Sequence, residues 1–323
     1  MSSARIAIVG SYATGLTMKV ERLPSSGETL LAHGYRVDFG GKGSNQAVGC
    51  ARLGAQATFV GKIGNDSFAD MALGMYRDEG LNVRWLRRTG EAPTGVGFIL
   101  VEGASGKNCI ALAPGANDLL TSADILECCE AIDSARVVLT QLEIPVQAAE
   151  AALARGRASS AITILNPAPV RPLSSSVLEL VDVLTPNETE ALVLCGCDPN
   201  GAAEPKELGE ELIRRGARQV VVTLGEKGAL IVTSSSLIHV PAIKVTPVDT
   251  TGAGDAFNAG LALALSCGAE LEAAVRFAVV TGGLAVTKEG VVPSLPHREE
   301  VVQYYRQSGL SVPSWFADLT RQS

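Results

Sequence analysis

From Thr121 onward, short apolar runs of strand length alternate with helix-length segments. Val137–Gln141 reads as a strand, Val146–Ala158 as a helix, Ile162–Asn166 as a strand, Ser174–Val181 as a helix and Val183–Thr185 as a strand. Glu188–Cys195 and Glu204–Arg215 read as helices, followed by a strand over Gln219–Leu224. Strands separated by a crossover helix pair in parallel, so the pattern predicts an α/β fold: a mostly parallel sheet with helices on both faces. Ala229–Val240 reads as a hairpin through Ser234-Ser235-Ser236, and Leu271–Thr287 as a long apolar helix packed beside the one that follows Gly254. The chain opens in the same style. A strand at Arg5–Gly10 precedes a helix from Gly40-Gly41-Lys42-Gly43 to Leu53, stopped by Gly54; a strand at Ala57–Gly61 and a helix at Asp66–Glu79 follow. No internal repeat is present, and Thr320–Ser323 reads as a frayed end.

Two segments break the rhythm. Ala13 to Val37 alternates weakly around Pro24 and Gly27, and Thr94 to Leu112 turns at Glu102-Gly103-Ala104-Ser105-Gly106. Both read as β excursions from the α/β body, and two such excursions can pair into a small sheet serving as a lid or a dimer surface.

The chain has 323 residues, enough for one large α/β domain with an insertion or two smaller ones. It is 46% hydrophobic but only 4% aromatic, and its net charge of −7 argues against a nucleic-acid partner, which calls for a basic face and stacking aromatics. A local helix N-terminus could still hold an anionic nucleotide. No apolar stretch reaches membrane-span length, and no charged n-region precedes an apolar one, so a cytoplasmic location is expected. The seven cysteines show no paired C-x-x-C and the three histidines complete no zinc set, which suits reduced packing thiols.

The stretch Asp249-Thr250-Thr251-Gly252-Ala253-Gly254-Asp255-Ala256-Phe257 follows a β-branched run, Ile243–Val248, and leads into the helix former Asn258–Leu265. Glycines at a helix mouth let backbone N–H groups approach an anion, and the helix dipole favours a phosphate there. A carboxylate beside a phosphate is repulsive, so Asp255 needs a reason; proton removal from an attacking hydroxyl supplies one, against the plain alternative of a dipole-favoured first-turn acid. The P-loop G-x-x-x-x-G-K-[ST], the dinucleotide G-x-G-x-x-G, the G-x-S-x-G elbow and the H-R-D and D-F-G tripeptides are all missing. The phosphate chemistry therefore belongs to another design.

Gly40-Gly41-Lys42-Gly43-Ser44-Asn45-Gln46-Ala47 resembles the N-terminal signature of the ribokinase-like (PfkB-type) carbohydrate kinases, and Asp249 to Asp255 resembles their C-terminal one. Thr185-Pro186-Asn187-Glu188-Thr189-Glu190 is similar to the family's N-x-x-E element, and Thr223-Leu224-Gly225-Glu226-Lys227-Gly228 to its nucleotide loop. Gln141-Leu142-Glu143, Asn166-Pro167-Ala168-Pro169 and Pro293-Ser294-Leu295-Pro296 point to the ribokinase branch. The resemblance implies one three-layer α/β/α kinase domain over 1–323, with lid segments inserted at about 13–37 and 94–112. It implies ATP-dependent phosphorylation of the primary hydroxyl of a small sugar, D-ribose or a related pentose, ketose or deoxy sugar. Asp255 would be the base, with Gly252, Ala253 and Gly254 as the anion hole. Gly41, Lys42, Gly43, Asn45 and Glu143 would hold the sugar. Thr223, Gly225, Lys227, Gly228, Gly254 and Val279 would line ATP, while Asn187 and Glu190 orient Mg²⁺ through water. K⁺ would lie at Asp249, Thr251, Ala285, Lys288, Gly290 and Ser294, and a homodimer would form through the lid.

One loop departs from the resemblance. Where the family supplies an Asn and an Asp to the sugar's secondary hydroxyls, Gly10-Ser11-Tyr12-Ala13-Thr14-Gly15 has Ala13 and Gly15. Either Tyr12, Thr14 or Lys19 takes over, or the substrate differs from D-ribose. A nucleoside kinase of the same fold would need an aromatic-lined acceptor pocket; a sugar sensor without catalysis would be expected to have lost the base or its turn.

Overall fold

A computed structural model of the chain describes residues 4–103 and 107–319. In chain order the strands are β1 (Arg5–Val9), β2 (Ala13–Val20), β3 (Tyr35–Gly40), β4 (Gln56–Ile63), β5 (Asn82–Arg88), β6 (Gly95–Glu102), β7 (Asn108–Ala113), β8 (Val137–Thr140), β9 (Ile162–Leu165), β10 (Val183–Leu184), β11 (Gln219–Thr223), β12 (Ala229–Val232) and β13 (Leu237–Val240). Between and after them run α1 (Lys42–Arg52), α2 (Ser67–Asp78), α3 (Ser122–Glu127), α4 (Cys129–Asp133), α5 (Val146–Ala158), α6 (Ser175–Leu178), α7 (Glu188–Leu194), α8 (Pro205–Arg214), α9 (Ala253–Ser266), α10 (Leu271–Ala285), α11 (Arg298–Gln307) and α12 (Ser314–Ala317).

Nine strands make one sheet in the order β13-β12-β11-β10-β9-β8-β1-β4-β5, parallel from β5 through β11 and antiparallel at β12 and β13. Along β1, Ile6 and Ile8 enter one apolar cluster with α1, α9 and α10, while Ala7 and Val9 enter a second with α5 and α8. That period-two split explains why the buried strands read as unbroken apolar runs: both faces are covered by helices. The two β excursions do pair, as a separate four-stranded sheet in the order β3-β2-β6-β7. Residues 104–106 of the expected hairpin turn, and the expected frayed end at 320–323, lie outside the described residues.

Several expectations are corrected. Strand β5 and helices α3 and α4 were not anticipated; β5 alternates with three arginines, and α3 and α4 are short and separated at Cys128. The helix expected over Ser174–Val181 is only one turn, Ser175–Leu178. The β-branched run Ile243–Val248 joins no ladder, and Pro247 within it has no N–H to give to one.

One close crossing sets the site. A Cβ built on Gly43 would lie 2.6 Å from the Ser11 nitrogen and 2.7 Å from Gly10 Cα, and one on Gly10 would lie 2.7 Å from Gly43 Cα. The N-terminus of α1 therefore rests directly on the backbone leaving β1. Gly43→Ala puts a methyl group into immovable main chain, and we expect it to cost about 3 kcal/mol in urea unfolding, the upper part of the overpacking range. A cost near zero would show that the crossing is not tight.

Candidate active site

Because the strands are parallel, their C-terminal ends share one edge, and the loops leaving them gather there. Gly10-Ser11, Gln141 to Glu143, Asn166, Thr185 to Asn187 and Thr223 to Gly225 all emerge at that edge. The start of α9 closes over them. Gly252 sits at φ 83°, ψ −4° as its N-cap, and Asp255 falls on the third helical position. Among the described residues the N–H groups of Gly252 and Gly254 have no partner, and that of Ala253 reaches Thr250 O only at 3.3 Å. A Cβ added at Gly254 would meet nothing within 4 Å. The turn thus offers unsatisfied donors, a helix N-terminus and open room in front of them.

Asp255 is 6% exposed. Asn45 Nδ2 donates to its Oδ2 at 2.8 Å and Gln46 Nε2 to its Oδ1 at 3.0 Å. Burial pushes its carboxyl above the ordinary aspartate range, opposed by the Lys42 charge and by these two amides, which favour the ionised form. The same burial lowers the tendency of Lys42 to hold its proton, but Asp255, Glu143 and Glu190 around it outweigh this and the ammonium's pKa is raised. One cation therefore stands among three acids at the strand edge. Glu143 Oε2 accepts from Ser11 Oγ at 2.5 Å and from the Lys42 N–H at 2.8 Å, tying the β1 and β8 loops to α1.

Behind Asp255 lies a buried polar chain without any charge. Gln46 Nε2 also donates to Asn166 Oδ1 at 3.1 Å, and Gln46 Oε1 accepts from Gln141 Nε2 at 2.5 Å. Asn166 Nδ2 donates to Thr185 O, Thr185 Oγ1 to Asn258 Oδ1, and Asn258 Nδ2 to Gly254 O, which returns to the anion turn. These contacts hold both carboxylate oxygens in one orientation. Gln46, Ser11, Gln141, Asn166 and Asn258 are missed by sequence reasoning. Gln46 stands inside the quoted signature, yet only the fold shows that its amide faces inward. Asn45 Oδ1, by contrast, is buried with no partner.

Asn187 and Glu190 meet as a capping box at the start of α7: Asn187 Oδ1 accepts from the Glu190 N–H at 2.8 Å and Glu190 Oε2 from the Asn187 N–H at 2.9 Å. Burial raises the Glu190 carboxyl pKa, opposed by the Asn187 N–H and the Lys42 charge. Among the described residues no three or more His, Cys, Asp or Glu side chains converge as metal ligands. One available carboxylate fits a Mg²⁺ that keeps its waters and phosphate oxygens better than an all-protein cage.

The expected nucleotide residues cluster on neighbouring loops. Asn187 bridges to Thr223, and Gly225 to Lys227 form a tight turn closed by Gly228 at φ 99°. A Cβ on Gly228 would lie 2.1 Å from Val240 O. Val279 is buried on α10 and lines an apolar cavity of about 380 Å³ with Val240, Ile243 and Tyr304. A larger cavity of about 1120 Å³, lined by Arg5, Arg52, Glu79 and Trp315, lies where β1 and β4 begin, and none of the candidate residues borders it.

Of the six expected cation residues, three meet directly. Asp249 Oδ1 accepts from the Thr251 N–H at 2.9 Å and Oδ2 from the Gly290 N–H at 3.0 Å. Burial raises the Asp249 pKa, but hydrogen bonds from Thr251 and Gly290 outweigh it and hold the carboxyl below its usual range. Ala285 O is approached only by the Lys288 N–H at 3.4 Å, Lys288 Nζ pairs with Glu300, and buried Ser294 donates its hydroxyl to Val291 O. A carboxylate plus weakly used carbonyls is a hard-oxygen set that suits an alkali cation.

At the acceptor end two of the three proposed stand-ins, Tyr12 and Thr14, are turned away from the role. Tyr12 and Thr14 are buried and their hydroxyls pair with each other at 3.0 Å, and Lys19 Nζ lies 3.8 Å from Glu289.

Known proteins share this fold and much of this sequence. Residues 3–298 match the family described as pfkB family carbohydrate kinase. A ribokinase of Staphylococcus aureus is 36% identical over 301 residues, 93% of this chain and 99% of that protein. A deoxyribokinase of Salmonella typhi is 34% identical over 300 residues, 93% of this chain and 98% of its own length. The structure of an Arabidopsis thaliana ribokinase complexed with ribose and ATP superposes with a TM-score of 0.87 at 30% identity, covering 94% of this chain and 98% of the other. The chain belongs to the pfkB family of carbohydrate kinases.

Proposed function

We propose that the protein transfers the γ-phosphoryl group of ATP to the primary hydroxyl of a small polyhydroxylated sugar, D-ribose or a related pentose, ketose or deoxy sugar. The observation that carries this is the buried Asp255 carboxylate, oriented by Asn45 and Gln46 beside three amides with little or no other pairing and the Lys42 ammonium. Asp255 takes the proton as the sugar oxygen bonds to the γ-phosphorus; the bond from that phosphorus to the bridging oxygen breaks, and ADP leaves. The Gly252, Ala253 and Gly254 N–H groups and Lys42 receive the charge on the transferring group. Asn45 Oδ1 and Glu143 accept sugar hydroxyls, and Gly41 and Gly43 let the backbone come close. Thr223, Gly225, Lys227 and Gly228 hold the nucleotide, with adenine near Val279.

Glu190, with Asn187 fixing its helix end, would hold a water of a nucleotide-bound Mg²⁺, which when present neutralises phosphate charge. Asp249, Thr251, Ala285, Lys288, Gly290 and Ser294 would hold K⁺ beside the turn. Ribose with ATP in the Arabidopsis structure, and the ribokinase and deoxyribokinase relatives, support a pentose-sized acceptor. The chain reads as one kinase domain carrying the small sheet as its lid. A cytoplasmic setting suits its seven free thiols, and among the described residues no helix is long and apolar enough to cross a membrane.

A coupled assay of ADP release over pentoses, deoxypentoses, ketoses and tetritols, with and without Mg²⁺ and K⁺, tests this reading. Release that depends on at least one sugar and on Mg²⁺, and rises with K⁺, is expected; release independent of every sugar would overturn it. At its β7 edge the small sheet exposes Ile110 (62%) and Leu112 (50%), side chains that suit burial against a second copy of the chain. Light scattering at micromolar concentration should give the mass of a dimer, and a monomer there would count against this assembly.

A further inference from the structure

The small sheet has one face turned inward on the body and one turned to the cleft, and alternation along the strands separates them. Thr14 and Phe39 lie on the inward face, Thr14 bonded to buried Tyr12 and Phe39 packed on the main core. Lys19 and Arg36 lie on the other face, and both reach Glu289, at 3.8 and 3.3 Å. Glu289 precedes Gly290, whose N–H binds Asp249 at 3.0 Å, and a Cβ on Gly252 would meet Val291 at 2.8 Å. The second face therefore looks onto the loop that backs the anion turn.

On that face Asp38 stands opposite Gly15 across the β2–β3 pair. A Cβ built on Gly15 would lie 3.6 Å from Asp38 Cβ. Neighbouring Ala13 and Gly97 also carry little or no side chain, so beside Asp38 the face is low, bordered by Ile99 Cδ1, 3.7 Å from a Gly15 Cβ, and Leu112 Cδ1, 3.8 Å from a Gly97 Cβ. Among the described residues of the small sheet, Asp38 is the one acid on this face. Its Oδ2 accepts from Arg36 Nε at 2.6 Å and from Thr17 Oγ1 at 3.4 Å, while Oδ1 has no partner among the described residues. Arg36 and Thr17 thus aim the group and leave one oxygen unused. At the opposite wall of the cleft, the buried and unpartnered Asn45 Oδ1 also lacks a donor.

We propose that Asp38 is the specificity-determining residue of the acceptor site: it accepts a hydrogen bond from the C2 hydroxyl of a pentose whose C5 hydroxyl is at Asp255. C1 and C2 lie across a furanose ring from C4, which bears the reacting arm, so a group on the lid face meets that end. The carboxylate missing at Gly15 is thereby supplied from the adjoining strand, and the sugar selected is a 2-hydroxy pentose rather than its 2-deoxy analogue. This rests on the kinase reading above.

The test is steady-state ADP release with D-ribose and with 2-deoxy-D-ribose, using wild type, Asp38→Ala, and Asp38→Ala combined with Gly15→Asp. In the single variant, KM for D-ribose should rise by about 30-fold, as for loss of a charged hydrogen bond, while KM for 2-deoxy-D-ribose and for ATP stays within a few-fold. The kcat/KM preference for D-ribose should then collapse towards one. In the double variant the carboxylate returns to the adjoining strand, and the preference should come back. If Asp38→Ala leaves the preference intact, or weakens both sugars equally with a lower melting temperature and no rescue by Gly15→Asp, Asp38 serves only to hold the lid and the inference fails while the kinase stands. If wild type releases ADP independently of both sugars and of every other sugar screened, the kinase reading fails first and takes the inference with it.

Discussion

Asp255→Asn should reduce kcat by about 1000-fold or more, within the range for loss of a positioned general base, while leaving ATP binding nearly unchanged. The substituted amide keeps the shape of the carboxyl but cannot take the proton of the attacking hydroxyl. It also presents an NH₂ to Asn45 Nδ2 or Gln46 Nε2, both donors, so one of the two orienting bonds is lost as well. In the proposed mechanism ATP is held by the backbone amides of the anion turn and by the Thr223 to Gly228 loop, and the change leaves both backbones in place. Single-turnover ADP release and calorimetric ATP titration separate the two effects. Near-normal turnover in this variant would end the proposed mechanism.

The sign of the pH effect follows from burial. Asp255 has a folded-state pKa above its unfolded value. Its contribution to stability is therefore full below the unfolded pKa and is lost as pH rises through the folded one. Above that folded-state pKa the ionised base is a burden on the fold that only its chemistry justifies. Wild-type kcat/KM should accordingly fall on its acid side at a pH above the ordinary aspartate range. The Asn variant should lose the part of the pH dependence of stability that Asp255 supplies.

The parallel sheet and the anion turn were legible because both are local. Buried parallel strands must be apolar on both faces, so β8, β9 and β11 stand out as Val, Ile and Leu runs, and Gly252 to Asp255 declares its backbone demands in its own letters. The edge strand β5 was hidden because an edge needs no such run and here carries Arg84, Arg87 and Arg88. The Gln46 contact to Asp255 spans 209 residues, and the Asp38–Gly15 pairing depends on the register of two strands. Neither has a signal within a window of sequence. The Asn187–Glu190 spacing was read as one helical turn, yet spacing alone could not say that Asn187 stands just before the helix as its extended N-cap and that each side chain caps the other's backbone.

Within the anion turn, two glycines should respond in opposite ways to the same added methyl group. Gly252 is in the left-handed region at φ 83°, and its Cβ would press on Val291 Cγ1 at 2.8 Å. Gly252→Ala should therefore lose stability by roughly 2 kcal/mol and lose activity with it. Gly254 is the second residue of α9, outside the left-handed region, and its Cβ would meet nothing within 4 Å. As a plain helix position it should gain from alanine, by up to about 1 kcal/mol. The proposed mechanism puts the transferring phosphoryl group in the open space in front of it, against the Gly252 and Gly254 amides, and the methyl group would fill that space. Gly254→Ala should melt no lower than wild type and yet lose about 100-fold in kcat, as when an oxyanion donor is withdrawn. Thermal unfolding and sugar-dependent ADP release on the same preparation decide the matter. A Gly254→Ala variant that is stable and fully active would mean that the turn caps a helix and receives no phosphate.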